Sequence, residues 1–411
     1  MDNRVSKSEF KLDHKKNLVL NSVKEQRVDG SWPLFIKANP INIKRSLRYT
    51  LIGLERGCRS FNNVGLFSNT IESSKIKILT KVSLSKNYNT LAKCNLDPWF
   101  LTGFSDAEGS FIISIYRDEK SKFKWRVSAY FSIHIHVKDV LLLEQIHKTF
   151  GVGTLRKNNE NTVLFRVSDI KELQTIIDHF KNYPLVSAKY SDFLLFEQCF
   201  NIIKKKEHLT SDGFKRILDL RASLNKGLSP ELKEAFPSFF FNLYKLKKKQ
   251  VLPVTRKEYV FNGIPNPLWI SGFATGDSSF RVSIENSTSK IGKRVRLCFD
   301  TCLHIRETTL LEGIAKYFSL YNSHVTASNK EMSIQCSEKN QTCLLQFRNN
   351  SDIDNKIIPF FKEYPIKGVK ALDFNDWCNV AELVKNKEHL SKEGLNKITE
   401  IANNINLNRK W

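Results

Sequence analysis

From Asp97 onward the hydrophobic pattern changes its period in a fixed order. An apolar helix-like stretch runs over Pro98–Glu108 and ends at Gly109, a residue suited to a helix C-terminus. Alternating apolar and polar positions at about 110–117 and 124–135, separated by the turn-forming 118–122, predict a hairpin. A helix over about 138–149 follows, with Leu141, Leu142 and Leu143 on its buried side. A second hairpin turns around 158–161, and helical patterns then cover 170–181 and 190–206. This order of helix, two strands, helix, two strands, helix predicts an α+β fold: a four-stranded antiparallel sheet with helices on one face.

The whole series then repeats. DPWFLTGFSDAEGSFIISI, beginning at Asp97, is answered by NPLWISGFATGDSSFRVSI, beginning at Asn266. Downstream, Phe131 pairs with Phe299, His136 with His304, Glu144 with Glu312 and Phe150 with Phe318, each 168 positions on. Later still, Tyr183-Pro184 answers Tyr364-Pro365 at an offset of 181, as loop insertions require. The chain therefore divides into a basic leader (1–94), a first repeat (95–225), a connector (226–264) holding the basic run Lys245 to Lys249, and a second repeat (265–411).

The chemistry concentrates at the first helix of each repeat. Thr102, Gly103 and Ala107, and likewise Ser271, Gly272 and Gly276, place small residues on one helical face, so two such helices can approach until their backbones nearly touch. The next residue on each is acidic, Glu108 and Asp277. Packing the faces together brings two carboxylates to the negative ends of two helix dipoles, an unfavourable arrangement that a divalent cation relieves. Magnesium suits it, because it takes only one or two protein carboxylates and keeps water and phosphate oxygens. Asp106 has Thr275 as its counterpart and is expected to cap or brace the helix.

LTGFSDAEG and ISGFATGDS resemble the signature of the LAGLIDADG homing endonucleases, and most of all their single-chain branch from fungal mitochondria. The stretches IIDHFKNYPLVSAK, LNKGLSPELKEAFP and KEHLSKEGL extend the similarity over about residues 97–411. The resemblance implies two pseudo-symmetric αββαββα repeats forming a saddle over double-stranded DNA, and Mg²⁺-dependent hydrolysis that makes a staggered double-strand break. It implies that Glu108 and Asp277 are catalytic metal ligands, with the backbone carbonyls of Ala107 and Gly276 as helpers. It also points to Lys189 and Lys370 as catalytic, each orienting the attacking water or neutralising charge. One departure is Ser278, where the signature has glycine; at a left-handed cap position serine costs about 1 kcal/mol relative to glycine.

With helices on one sheet face, the other is expected to meet DNA. Alternation anchored on Glu108 puts Ser110, Ser114, Tyr116, Arg126, Ser128, Tyr130, Ser132, His134, Thr154, Arg156, Arg166 and Ser168 on it in the first repeat. In the second, the same count gives Ser279, Arg281, Ser283, Glu285, Arg294, Arg296 and Asp300. Arginine suits guanine edges, and serine suits bases or phosphates.

Composition agrees. The 411 residues carry 65 Lys and Arg against 42 Asp and Glu, a formal charge of +23 that favours a polyanionic partner. No apolar run approaches the roughly 18 residues that would span a bilayer, so no membrane partner is expected. The leader alone has 18 basic and 7 acidic residues and no sustained periodicity, and it is expected to be poorly ordered and dispensable for cleavage. The eight cysteines show no C-x-x-C and are read as free thiols in a reducing compartment. The duplication supplies its own pseudo-twofold, so a monomer is expected. The resemblance places the protein in the mitochondrion, encoded within an intron. Two alternatives share the fold: a maturase that binds intron RNA, and a DNA-binding protein that no longer cuts. The acidic pair favours the endonuclease.

Overall fold

The structure, a computed structural model, describes residues 95–121, 123–236, 253–257, 259–289, 291–321 and 333–406; the leader and the basic run at 245–249 lie outside them. The first half opens with α1 (Pro98–Glu108), then β1 (Gly109–Arg117), β2 (Trp125–His136), α2 (Val140–Phe150), β3 (Thr154–Lys157), β4 (Thr162–Val167), α3 (Ile170–Asn182) and α4 (Lys189–Lys204). Two further helices, α5 (Ser211–Ser223) and α6 (Pro230–Ala235), follow. The second half repeats the order as α7 (Pro267–Asp277), β5 (Ser278–Asn286), β6 (Lys293–His304), α8 (Thr308–Leu320), β7 (Ser333–Ser337) and β8 (Thr342–Phe347). It closes with α9 (Ile358–Glu363), α10 (Lys370–Lys385) and α11 (Lys392–Asn404). Periodicity does not predict α5 and α11, because each follows a tight turn that interrupts the hydrophobic pattern.

Local chemistry starts each half in the same way. Asp97 accepts from the Trp99 amide and Asn266 from the Leu268 amide, with Pro98 and Pro267 in the first turn, where the missing N–H is no loss. Each half forms an antiparallel four-stranded sheet, ordered β1-β2-β4-β3 and β5-β6-β8-β7. One face of each sheet is apolar and covered by helices. Phe111, Phe131, Phe165 and Phe180 are fully buried with Phe193 and Phe196 in the first half, and Phe280, Phe299, Phe361 and Trp377 are buried in the second. α2 buries Leu142, Leu143, Ile146 and Phe150, whereas Leu141 is exposed, since three consecutive helical positions cannot share one face. Ala107 and Val186 from the first half sit in the second half's core, which ties the halves into one body.

Candidate active site

α1 and α7 pack directly on each other, and glycine is the reason they can. A methyl group on Gly103 would strike the Trp269 carbonyl, and one on Gly272 would strike the Phe100 carbonyl. At the shared C-terminal end, a methyl on Gly276 would strike the Ala107 side chain and lie 3.2 Å from Glu108 Cγ. The small-residue faces therefore meet backbone to backbone, as their spacing predicted, and set Glu108 beside the turn that bears the buried Asp277. Thr102 and Ser271 anchor the outer sides, donating to the Tyr183 carbonyl at 2.9 Å and the Pro365 carbonyl at 2.7 Å.

The helix ends do not close with a left-handed residue. Gly109 has φ −76° and Ser278 has φ −99°, both extended, because the chain passes straight from helix into strand. The cost assigned to Ser278 thus does not arise; its hydroxyl lies 2.7 Å from Thr301 Oγ1. Glycine at 109 serves packing instead: a methyl there would lie 2.7 Å from the Ser105 carbonyl oxygen and 3.1 Å from the Phe131 ring.

The carbonyls where each helix runs into its strand converge on a lysine ammonium group. Lys189 Nζ, at the first residue of α4, donates to the carbonyls of Ser105 (3.1 Å), Ala107 (3.5 Å) and Gly109 (2.7 Å). Lys370 Nζ, at the first residue of α10, donates to those of Ala274 (3.0 Å), Gly276 (2.8 Å) and Ser278 (2.6 Å). Both sets of three carbonyls are related by the repeat. Each lysine thus places a positive charge where the helix dipole is negative and where an acidic side chain sits. Burial pulls the Lys189 ammonium below the ordinary lysine value, and Asp106, Asp277, Glu108 and Glu307 pull the other way.

Asp106 is a brace, as expected, though it reaches beyond its own helix. Its carboxylate accepts from the Val186 amide (2.8 Å), the Ser187 amide (3.2 Å) and hydroxyl (2.6 Å), and Trp269 Nε1 (2.8 Å) of α7. Burial pushes its carboxyl up, against the pull of these donors and of Lys189.

The sheet register puts the expected residues on the face away from the helices. Ser110 pairs with Ser132, Ser114 with Ser128 and Tyr116 with Arg126; Arg166 pairs with Ser132 and Thr154. His134 and Arg156 both flank Leu164, and Ser168 falls just beyond the end of β4. In the second half, Ser279 pairs with Asp300, Ser283 with Arg296 and Glu285 with Arg294. Arg281 faces Cys298. Several of these side chains are pre-positioned by each other. Arg166 lies 3.6 Å over the Tyr130 ring, Arg281 contacts Asp300 at 2.7 Å, and Arg296 contacts Glu285 at 3.1 Å. Gln346 Nε2 donates to Asp300 Oδ1 at 2.5 Å. Burial lowers the His134 pKa, opposed by Glu108.

The same ladders add Ile112, His136, Thr162 and Leu164 in the first half, and Cys298, Cys302, Gln335, Leu344 and Gln346 in the second. Continued period-2 counting would have found them. Apolar or sulfur-bearing side chains disguise some of them, and in the second half several lie on β7 and β8, beyond the first hairpin.

The cysteines need one correction. Cys199, Cys298, Cys302 and Cys378 form no disulfide, but Cys336 and Cys343 are joined as one across β7 and β8. They face each other in the ladder, with Cα atoms 4.1 Å apart, a proximity that their separation of 7 along the chain did not disclose.

Two repeated α/β halves, joined at a pair of acidic helix ends beneath two polar sheet faces, define a class of two-repeat nucleic-acid enzyme. The family model described as "LAGLIDADG endonuclease" matches residues 101–226 and 270–381. "Probable intron-encoded endonuclease 3" of Neurospora crassa is 34% identical over 403 residues, covering 95% of this chain and 69% of that protein. An ND4 intron 1 protein of Podospora anserina is 37% identical over 194 residues, 46% of this chain and 41% of that one. Among solved structures, the LAGLIDADG meganuclease I-CpaMI bound to uncleaved DNA is 42% identical, with TM-score 0.69, and covers 76% of this chain and 100% of its own. I-SmaMI, bound to an uncleaved DNA target in the presence of calcium ions, is 36% identical, with TM-score 0.68, over 77% of this chain and 100% of its own. This chain belongs to the LAGLIDADG family and is a homing endonuclease of it.

Proposed function

We propose that this chain cuts both strands of a specific DNA duplex as a monomer, leaving a staggered break, with one centre built around Glu108 and Lys189 and the other around Asp277 and Lys370. The observation that carries the reading is the glycine-mediated contact of α1 and α7, which brings the two acidic helix ends together beneath two polar sheet faces. The donors there are all oxygens, a set that suits a hard divalent cation. Among the described residues no group of three or more His, Cys, Asp or Glu side chains forms an all-protein metal cage. Two carboxylates are what magnesium takes when phosphate supplies further ligands. Glu108 and Asp277 would hold it, with the Ala107 and Gly276 carbonyls, which also accept from the lysines, as helpers.

When bound, Mg²⁺ would activate water and stabilise the leaving oxygen. The chain's own residues do the rest. Lys189 and Lys370 hold the helix ends in place and lend positive potential to the centre where phosphate charge develops. Serine and arginine side chains of the sheet faces read bases and contact phosphates. The duplication supplies two centres in one chain, which supports the monomer. Kinship to intron-encoded proteins of fungal mitochondrial genes supports action in the mitochondrion.

The test is to incubate the purified protein with a randomised duplex library and Mg²⁺ and to sequence the ends, then to repeat with Glu108→Gln and Asp277→Asn. Staggered ends at one sequence are expected from the parent. Each variant should lose cleavage by orders of magnitude while keeping its affinity, because binding rests on many separate cationic contacts. A variant that binds normally and cuts both strands at the parental rate would overturn the assignment.

A further inference from the structure

At the start of each helix that carries a lysine, the N-cap residue itself makes no side-chain cap bond. α4 starts after Ala188 and α10 after Val369, residues with no side-chain oxygen to offer, although the Ser187 hydroxyl accepts from the Lys189 amide at 3.2 Å. In each case an acid from the opposite half makes the contact. Glu307 Oε2 accepts from the Ala188 amide at 3.0 Å, and Asp139 Oδ1 accepts from the Val369 amide at 2.7 Å. The acids are repeat counterparts, 168 apart, and so are the amides, 181 apart. Asp139 and Glu307 each end the 3₁₀ turn after the second strand of their half, at the N-cap of α2 and α8, yet neither side chain caps its own helix. Gly368, with φ +67°, clears the way: a methyl there would strike Asp139 Oδ1. A carboxylate spent on the other half's helix, twice, by symmetry-related residues, is a reciprocal device.

We propose that Asp139 and Glu307 are positioning residues for the cleavage centre of the opposite half, each fixing the N-terminus of the helix whose first residue is that centre's lysine. This rests on the reading of Lys189 and Lys370 as parts of the two centres. The chain of contact is short: the acid holds the amide of Val369 or Ala188, and the very next residue sends its ammonium to the helix-end carbonyls. The two clamps are not equal in weight. α4 is also tied to the connector, through Arg256 to Asp192 at 2.8 Å and Ser191 to the Lys257 carbonyl at 2.8 Å. Asp139 therefore carries more of the positioning of Lys370 than Glu307 carries of Lys189.

The experiment uses the full chain and its target duplex, labelled separately on each strand, in single-turnover cleavage with Mg²⁺. Lys370→Met first identifies the strand served by the second centre. Asp139→Ala is expected to slow that same strand roughly 10- to 100-fold, as loss of catalytic alignment does, and to leave the other strand near its parental rate. Asp139→Asn, which keeps an acceptor oxygen, should restore most of the loss. Glu307→Ala should slow the opposite strand, and by less. Equal slowing of both strands, slowing of the strand served by the acid's own half, or no slowing would each overturn the proposal. Should Asp139→Ala fail to fold, Asp139→Ser, whose oxygen falls short of the amide, is judged by the same strand ratio. If Lys370→Met itself slows neither strand, the reading of the centres falls first, and the clamp with it.

Discussion

Replacing Gly272 with alanine tests whether the contact between α1 and α7 sets the cleavage geometry. The added methyl would overlap the Phe100 carbonyl and lie 2.9 Å from the Phe104 amide nitrogen. Both are backbone atoms that no rotamer change moves aside, so the helices must part by about 1 Å to restore an ordinary carbon–oxygen contact. Alanine gains about 1 kcal/mol in helix propensity over glycine. Overpacking against rigid backbone costs about 1–3 kcal/mol, so a net loss of about 0–2 kcal/mol is expected. Against a typical stability of about 5–15 kcal/mol the chain stays folded. Cleavage is the more sensitive quantity. A shift of about 1 Å between reacting groups costs on the order of 100-fold in rate, and Glu108 and Asp277 ride on the two helices that separate. The assay is single-turnover cleavage beside thermal unfolding, with Gly151→Ala as control. Gly151 has φ +69° and no neighbour within 4 Å of an added methyl, so that variant loses about 1 kcal/mol to backbone strain without touching the centre. Parental cleavage by Gly272→Ala, or an equal loss in both variants, would refute the reasoning.

Three other outcomes are expected. Lys370→Met keeps the apolar stem but leaves three carbonyls without their ammonium, so unfolding should become easier by about 2–4 kcal/mol in denaturant titration, and one strand should be cut far more slowly. Ser278→Gly should bring no gain in cleavage rate, since residue 278 is extended; a marked gain would show that serine does strain the site. His179, pushed down to about 4 by burial against an ordinary value of 6.5, is neutral in the folded protein and protonates first in the unfolded chain. Its contribution of about 3 kcal/mol is therefore fully present above pH 6.5 and lost as pH falls toward 4; urea midpoints that do not fall between pH 7 and pH 4.5, relative to His179→Gln, would contradict this.

Much of the site was legible in the residues themselves, because the decisive patterns are local or periodic. Small residues one helical turn apart, followed by an acid, announce a close helix contact with a charged end, and the repetition of that pattern at Glu108 and Asp277 announces two. Period-2 alternation named the open sheet faces without any knowledge of pairing, since a strand's two sides are fixed by its own backbone. What the residues alone left undecided depends on groups distant in sequence. The Lys370 ammonium reaches carbonyls more than 90 positions away, and Asp139 caps an amide 230 positions away, in the other half. No local pattern encodes such a pairing, because it arises only when the register of two sheets and the packing of two helices place both ends together. Gly109 and Ser278 make the same point: glycine after a helix suggests a left-handed cap, but a strand that follows at once holds both residues extended. Cys336 and Cys343 met for a related reason, since the ladder between β7 and β8, and not their spacing, set them face to face.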